Sequence, residues 1–122
     1  MRSAILYAAG TALLASLASK PALAADAVHG QLVFKACAAC HTDRPDALGP
    51  SLVGIVGRKS GSREDFRYSN AMKRANLTWN EANLKAYLRD PQAKVKGNRM
   101  PFSGLNNPRD IDDVIAYLET LK

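Results

Sequence analysis

Residues 37–41 read Cys-Ala-Ala-Cys-His, and no other stretch restricts the fold of this chain as strongly. Two thiols three residues apart on one turn can form thioethers with the two vinyl groups of one porphyrin. The histidine that follows then meets the iron as its proximal ligand. A chain built this way folds around one haem c, bound covalently through Cys37 and Cys40, with His41 on the metal. Other uses of the motif fit less well. A thioredoxin-like redox pair needs a βαβ setting, and no such pattern is visible. A Cys37–Cys40 disulfide would close a small strained loop. A zinc site would need a fourth ligand from His29 or a carboxylate. The chain has only these two cysteines, which rules out a disulfide-dense scaffold and a four-thiolate zinc site. No P-loop or G-x-G-x-x-G is present, which argues against nucleotide chemistry.

The first residues read as an address. Arg2 precedes an apolar run from Ile5 to Ala18, Lys20 and Pro21 end it, and Ala22-Leu23-Ala24 is an A-x-A cleavage site. This is the pattern of a secretory signal peptide over residues 1–24, cut after Ala24 or one residue later. The run is too short to span a bilayer, which takes about 20 residues. The expectation is therefore an exported, periplasmic domain over 25–122, with 15 basic and 11 acidic side chains. An oxidising compartment would oxidise a free cysteine pair or leave it captured by a ligand.

The periodicity predicts an all-α fold. A first helix runs from about Ala27 to Ala36 behind Asp26 as N-cap, and its Gly30 permits close approach of another backbone. A second begins at a Thr78-Trp79-Asn80-Glu81 capping box, puts Leu84, Tyr87 and Leu88 on one face and stops before Pro91. A third follows the Asn107 cap and Pro108, with Ile111, Val114, Ile115, Leu118 and Leu121 on one stripe. A short helix near 69–74 has Ser69 as its cap. Between them, 42–67 and 91–107 are rich in Gly and Pro and nearly aperiodic. Loops this long in so small a domain need something to wrap, and a large internal ligand supplies it.

The sixth iron position separates electron transfer from oxygen or peroxide chemistry. On residue chemistry alone the candidates are Met100, Met72, His29 or an open site. Met72 falls in a helical stretch, where methionine usually fills core. Met100 sits in the Pro- and Gly-rich run Gly97-Asn98-Arg99-Met100-Pro101-Phe102, which can hold a weak ligand against iron.

From about Gly30 to Lys122 the chain resembles a class I cytochrome c of the mitochondrial and bacterial c2 type. The matching residues are Cys37-Ala-Ala-Cys-His41, Leu48-Gly49-Pro50-Ser51-Leu52, Gly54-Ile-Val-Gly57-Arg58-Lys59, Phe66-Arg-Tyr68-Ser69, Leu77-Thr78-Trp79, Tyr87-Leu88-Arg-Asp-Pro91, Lys96-Gly97-Asn98-Arg99-Met100-Pro-Phe102 and Ile115-Ala-Tyr117-Leu118. The resemblance implies the cytochrome c fold, three to four helices and long ordered loops around the haem. It implies His41 and Met100 as metal ligands, and the Pro50 carbonyl as acceptor from the proximal imidazole. Arg58, Tyr68 and Trp79 match residues that hydrogen-bond a haem propionate, and Tyr87 matches a tyrosine beside the methionine sulfur. Asn98 joins this cofactor-binding set at a position where Thr is common. Gly30 and Tyr117 match the crossing of the terminal helices. Met72 departs from the pattern, since many relatives carry Asn there, and the segment before Cys37 is one residue shorter than in mitochondrial relatives. The basic ring is thinned as well: Gln92-Ala93 and Asn106-Asn107 fall where relatives often carry Lys.

The function implied is a soluble periplasmic one-electron carrier, monomeric and not an enzyme. Its partners would be membrane redox complexes or a periplasmic dehydrogenase, docking transiently at Lys35, Lys94, Lys96 and Arg99 without stable membrane insertion. The rivals are a dedicated haem subunit or electron acceptor of such a dehydrogenase, a peroxidase-like enzyme, or a sensor, for whose output module the domain has no room. A plain solvated face is the alternative reading of the basic surface. Nucleic-acid binding would need a basic stripe interleaved with stacking aromatics and finds no support.

Overall fold

In a computed structural model, residues 4–5, 9–17 and 23–122 are described. Arg2, Lys20, Pro21 and Ala22, part of the leader pattern, lie outside them. The described leader residues form no regular secondary structure, and Ile5, Leu13, Leu14 and Leu17 are exposed.

Five helical segments follow: α1 (Ala27–Ala38), α2 (Asn70–Arg74), α3 (Glu81–Arg89), α4 (Pro91–Lys94) and α5 (Pro108–Leu118). Three of the expected caps are used. The Asp26 carboxylate accepts from the N–H of Val28 and His29, Ser69 Oγ from Met72, and Asn107 Oδ1 from Arg109. The expected cap of α3 is corrected. Asn80, not Thr78, accepts from the Asn83 N–H at 2.9 Å. Thr78 is held instead in an antiparallel bridge with Lys59, and its carbonyl accepts from the Asn83 amide at 2.8 Å. The expected three to four helices become five, because Pro91 both ends α3 and opens α4, with Asp90 as cap. The stripe expected to run through Leu121 leaves the helix at Leu118, although Leu121 still packs on the core. No strand ladder forms among the described residues beyond that single bridge.

Helices α1 and α5 share the most extensive helix contact and cross at Gly30. A Cβ on Gly30 would come within 2.5 Å of the Asp113 carbonyl carbon and 3.0 Å of Tyr117 Cβ. Glycine is therefore required for backbone-to-backbone contact. Phe34 and Tyr117 stack beside the crossing with ring centroids 5.0 Å apart. Asp113, fully buried, ties the start of α1 to α5. Its carboxylate accepts from the Asp26 N–H at 2.7 Å and from His29 Nδ1 at 2.8 Å, with Arg109 nearby at 3.6 Å. The core proper is small: Ile55, Trp79, Leu84, Tyr87, Val95, Ile111, Val114, Ile115 and Leu118. The long loops and the helices enclose a cavity beside it.

Candidate haem-binding site

The C-terminal end of α1 builds one wall. Both the Cys40 and His41 N–H groups donate to the Cys37 carbonyl, at 3.1 and 3.0 Å, so the motif closes as one tight turn. Cys37 and Cys40 are free and half-buried. Burial, and secondarily the neighbouring Cys40, pushes the Cys37 thiol up. A redox dithiol needs the opposite shift.

His41 is oriented by the next loop. Its Nδ1 lies 2.7 Å from the Pro50 carbonyl oxygen. A carbonyl only accepts, so Nδ1 carries the proton and Nε2 keeps its lone pair for a metal. Gly49 makes this packing possible: a Cβ there would sit 2.6 Å from His41 Cε1 and 2.7 Å from Nδ1. The Gly49 N–H in turn donates to the Cys40 carbonyl at 2.9 Å, locking the loop to the motif.

Met100 lines the same cavity from the second long loop, and the Tyr87 hydroxyl donates to its sulfur at 3.8 Å. Burial pushes the Tyr87 phenol up to about 12, so it remains a donor throughout the neutral range. The Met100 N–H donates to Asn98 Oδ1 at 2.9 Å. Met72 also lines the cavity, from α2. His29 does not: it is engaged with Asp113 at the far end of α1.

Arg58, Tyr68 and Trp79, the residues expected to meet a propionate, all line the cavity. Arg58 also donates to the carbonyls of Val53 at 2.8 Å and Ser51 at 3.0 Å, and burial pulls its guanidinium below its ordinary range. Tyr68 accepts from the Arg63 N–H at 3.3 Å, and Trp79 packs against Tyr87 with centroids 4.9 Å apart. The bridge that displaced the Thr78 cap positions this corner, since Trp79 N–H donates to the Arg58 carbonyl at 2.8 Å.

The cavity holds about 570 Å³, in the ordinary range for a cofactor site, and apolar side chains such as Leu52, Ile55, Leu84 and Leu118 dominate its lining. The residues fit a haem: two thiols on one turn, an imidazole with one nitrogen already committed, a thioether with a hydrogen-bond donor, and an apolar enclosure. Among the described residues no group of three or more His, Cys, Asp or Glu is placed to hold a metal ion.

Sequence reasoning missed what three residues do in the fold. Gln92, read only as a lost lysine, bonds the Met100 loop. Its Nε2 donates to the Asn98 carbonyl at 2.8 Å and its Oε1 accepts from the Gly97 N–H at 3.1 Å. Arg99, read only as a docking charge, donates to the Arg67 carbonyl at 2.9 Å and clasps the two long loops together. Asn98, expected in the cofactor-binding set, lines the cavity and is also a buried bracket of the backbone: its amide donates to the Pro91 and Val95 carbonyls at 3.0 and 2.9 Å. No local pattern announces such contacts.

The cytochrome c family matches residues 27–122. The chain is 51% identical over 100 residues to cytochrome c2 of Rhodomicrobium vannielii, covering 80% of each chain. It is 49% identical over 102 residues to cytochrome c2 of Rhodoblastus acidophilus, covering 81% of this chain and 95% of that one. Among solved structures, cytochrome cH from Methylobacterium extorquens superposes with a TM-score of 0.75 at 44% identity, covering 78% of this chain and 98% of that one. The fold, the Cys-Ala-Ala-Cys-His turn and these matches agree: the chain belongs to the cytochrome c family, among class I c-type cytochromes of the c2 kind.

Proposed function

We propose that this protein works in the periplasm and that His41 and Met100 would hold the iron of its one haem c. The chain is a soluble monohaem electron carrier and not an enzyme, with the haem joined to Cys37 and Cys40. One observation carries the ligand assignment: an imidazole with only Nε2 free and a thioether with a tyrosine donor line one apolar cavity.

The haem, when bound, supplies one iron that cycles between ferric and ferrous states. The chain supplies the rest. The Pro50 carbonyl fixes the His41 ring and raises its basicity by accepting a hydrogen bond from Nδ1–H. Tyr87 draws electron density from the Met100 sulfur, which favours the lower charge state of whatever that sulfur binds. Arg58, Tyr68 and Trp79 offer polar groups to the propionates within an otherwise apolar lining.

Carriers of this kind meet redox partners transiently. Lys35 and Lys96 are exposed, while Lys94 is half-buried. Together with Arg99 they would steer the protein toward acidic surfaces of membrane redox complexes or a periplasmic dehydrogenase, with rates that fall as salt rises. Export by residues 1–24 accords with Leu23, Ala24 and Ala25, which are exposed and outside any helix. No described helix is long and apolar enough to cross a membrane.

The test is an optical spectrum of ferric and ferrous protein beside a Met100→Ala variant. A low-spin wild type whose far-red sulfur-to-iron band disappears in the variant is the expected result. A wild-type spectrum already high-spin, or ready carbon monoxide binding by the ferrous protein at neutral pH, would overturn the assignment.

A further inference from the structure

Helix α4 and the loop that follows it are anchored by the buried Pro91 and Val95 and tied together further by side-chain amides. Within α4 only Pro91 is buried, and Gln92 is exposed. Gln92 nevertheless makes two hydrogen bonds to the backbone of the loop, one to Gly97 and one to Asn98. Asn98 answers from inside, donating to Pro91 and Val95 and accepting from the Met100 N–H. Gly97, at a φ of 89°, provides the turn that brings these groups face to face. The segment 91–100 is thus a closed hairpin of chain, with Gln92 bridging its outer side and Met100 at its exit.

We propose that Gln92 is a positioning residue for Met100: its amide staples the Gly97–Asn98 backbone to α4 and sets how often the thioether swings away from the metal side of the cavity. The inference rests on Met100 being the ligand. Because Gln92 is exposed and its hydrogen bonds run only to the loop backbone, losing it acts on local opening of the loop rather than on global unfolding. Two neutral hydrogen bonds near the surface correspond to roughly a tenfold change in an opening equilibrium.

The experiment titrates the ferric holoprotein with imidazole, which captures the iron each time Met100 leaves, and measures amide hydrogen exchange at Gly97 and Met100. Gln92→Ala is expected to tighten apparent imidazole binding about tenfold and to speed exchange at both amides by a similar factor. Gln92→Glu keeps the acceptor for the Gly97 N–H and loses the donor to Asn98, so it should fall between. Asn107→Ala removes the α5 cap, whose bond runs to Arg109 and not to the 97–100 backbone; it should lower the unfolding midpoint while leaving imidazole affinity within about twofold. The proposal is overturned if Gln92→Ala leaves binding and exchange unchanged, or if Asn107→Ala tightens imidazole equally. Met100→Ala separates the two readings. If it binds imidazole no better than wild type, the ligand assignment falls and this inference with it. If it binds much better while Gln92→Ala does not, only the staple is refuted.

Discussion

Replacing Gly30 with alanine adds one methyl group at the place where α1 and α5 touch through their backbones. The new Cβ would lie 2.5 Å from the Asp113 carbonyl carbon, nearer still to its oxygen, and 3.0 Å from Tyr117 Cβ, whereas ordinary contact begins at 3.4 Å. The obstructing atoms are helix backbone and cannot rotate away, so the helices must part by more than about 0.9 Å. That movement also loosens the Phe34–Tyr117 stack and the Asp26 and His29 bonds to Asp113. Overpacking in a tight core costs about 1–3 kcal/mol, and alanine returns only about 0.5–1 kcal/mol of helix propensity. With the lost contacts included, the net destabilisation is about 2–3 kcal/mol. At about 4–8 °C per kcal/mol for a domain of this size, Tm should fall by roughly 10–25 °C. The assay is thermal and guanidinium unfolding of the holoprotein followed by circular dichroism. Gly54→Ala is the control: its φ is 71° but a Cβ meets nothing within 4 Å, so it carries only a backbone cost of about 1–2 kcal/mol. A Gly30→Ala protein within about 0.5 kcal/mol of wild type would refute the backbone crossing.

Gly49→Ala drives a Cβ into the His41 ring, and it should weaken proximal ligation and shift the ferric spectrum toward high spin even where the chain still folds. Tyr87→Phe removes the hydroxyl donor to the Met100 sulfur. A loss of about 0.5–1 kcal/mol, at 59 mV per tenfold, should lower the reduction potential by roughly 20–40 mV in a redox titration. Asp113 is held below the usual carboxylate range, first by the Asp26 N–H and then by His29 and Arg109. A depressed folded value contributes stability above the unfolded pKa of about 3.9 that is lost as pH falls through the folded value, so acid unfolding should be steep there. Asp113→Asn should flatten that slope in urea titrations between about pH 5 and pH 2.

The site was legible wherever chemistry is written locally. Cys37, Cys40 and His41 are adjacent in the chain, and the helix that carries them is capped by a residue one position ahead of it. The caps at Ser69 and Asn107 were equally local. Thr78 was misread because the competing claim on it comes from Lys59, nineteen residues earlier, and no window around 78–81 contains that partner. Helix α4 was missed because a proline that ends one helix also suits the first turn of the next, and only the Asp90 bond to the Ala93 N–H decides between them. The roles of Gln92, Asn98 and Arg99 depend on which carbonyls the folded loops present. Composition holds no record of that.

The division of labour within the fold follows from this. The proximal side is assembled from one continuous stretch, 37–50, in which turn, imidazole and carbonyl acceptor are close in sequence and closed by short-range bonds. The distal side is assembled from α3, α4 and the 97–102 loop, with Tyr87 against the sulfur, Asn98 under the backbone and Arg99 reaching across to Arg67. The proximal half has local closure entropy in its favour, whereas the distal half depends on partners up to 32 residues away. If Met100 is the sixth ligand, the distal half is where ligation opens first under heat or denaturant, and the imidazole site should survive it. Loss of the far-red band ahead of the loss of helical signal is the expected order, and coincident transitions would show that both halves fold as one unit.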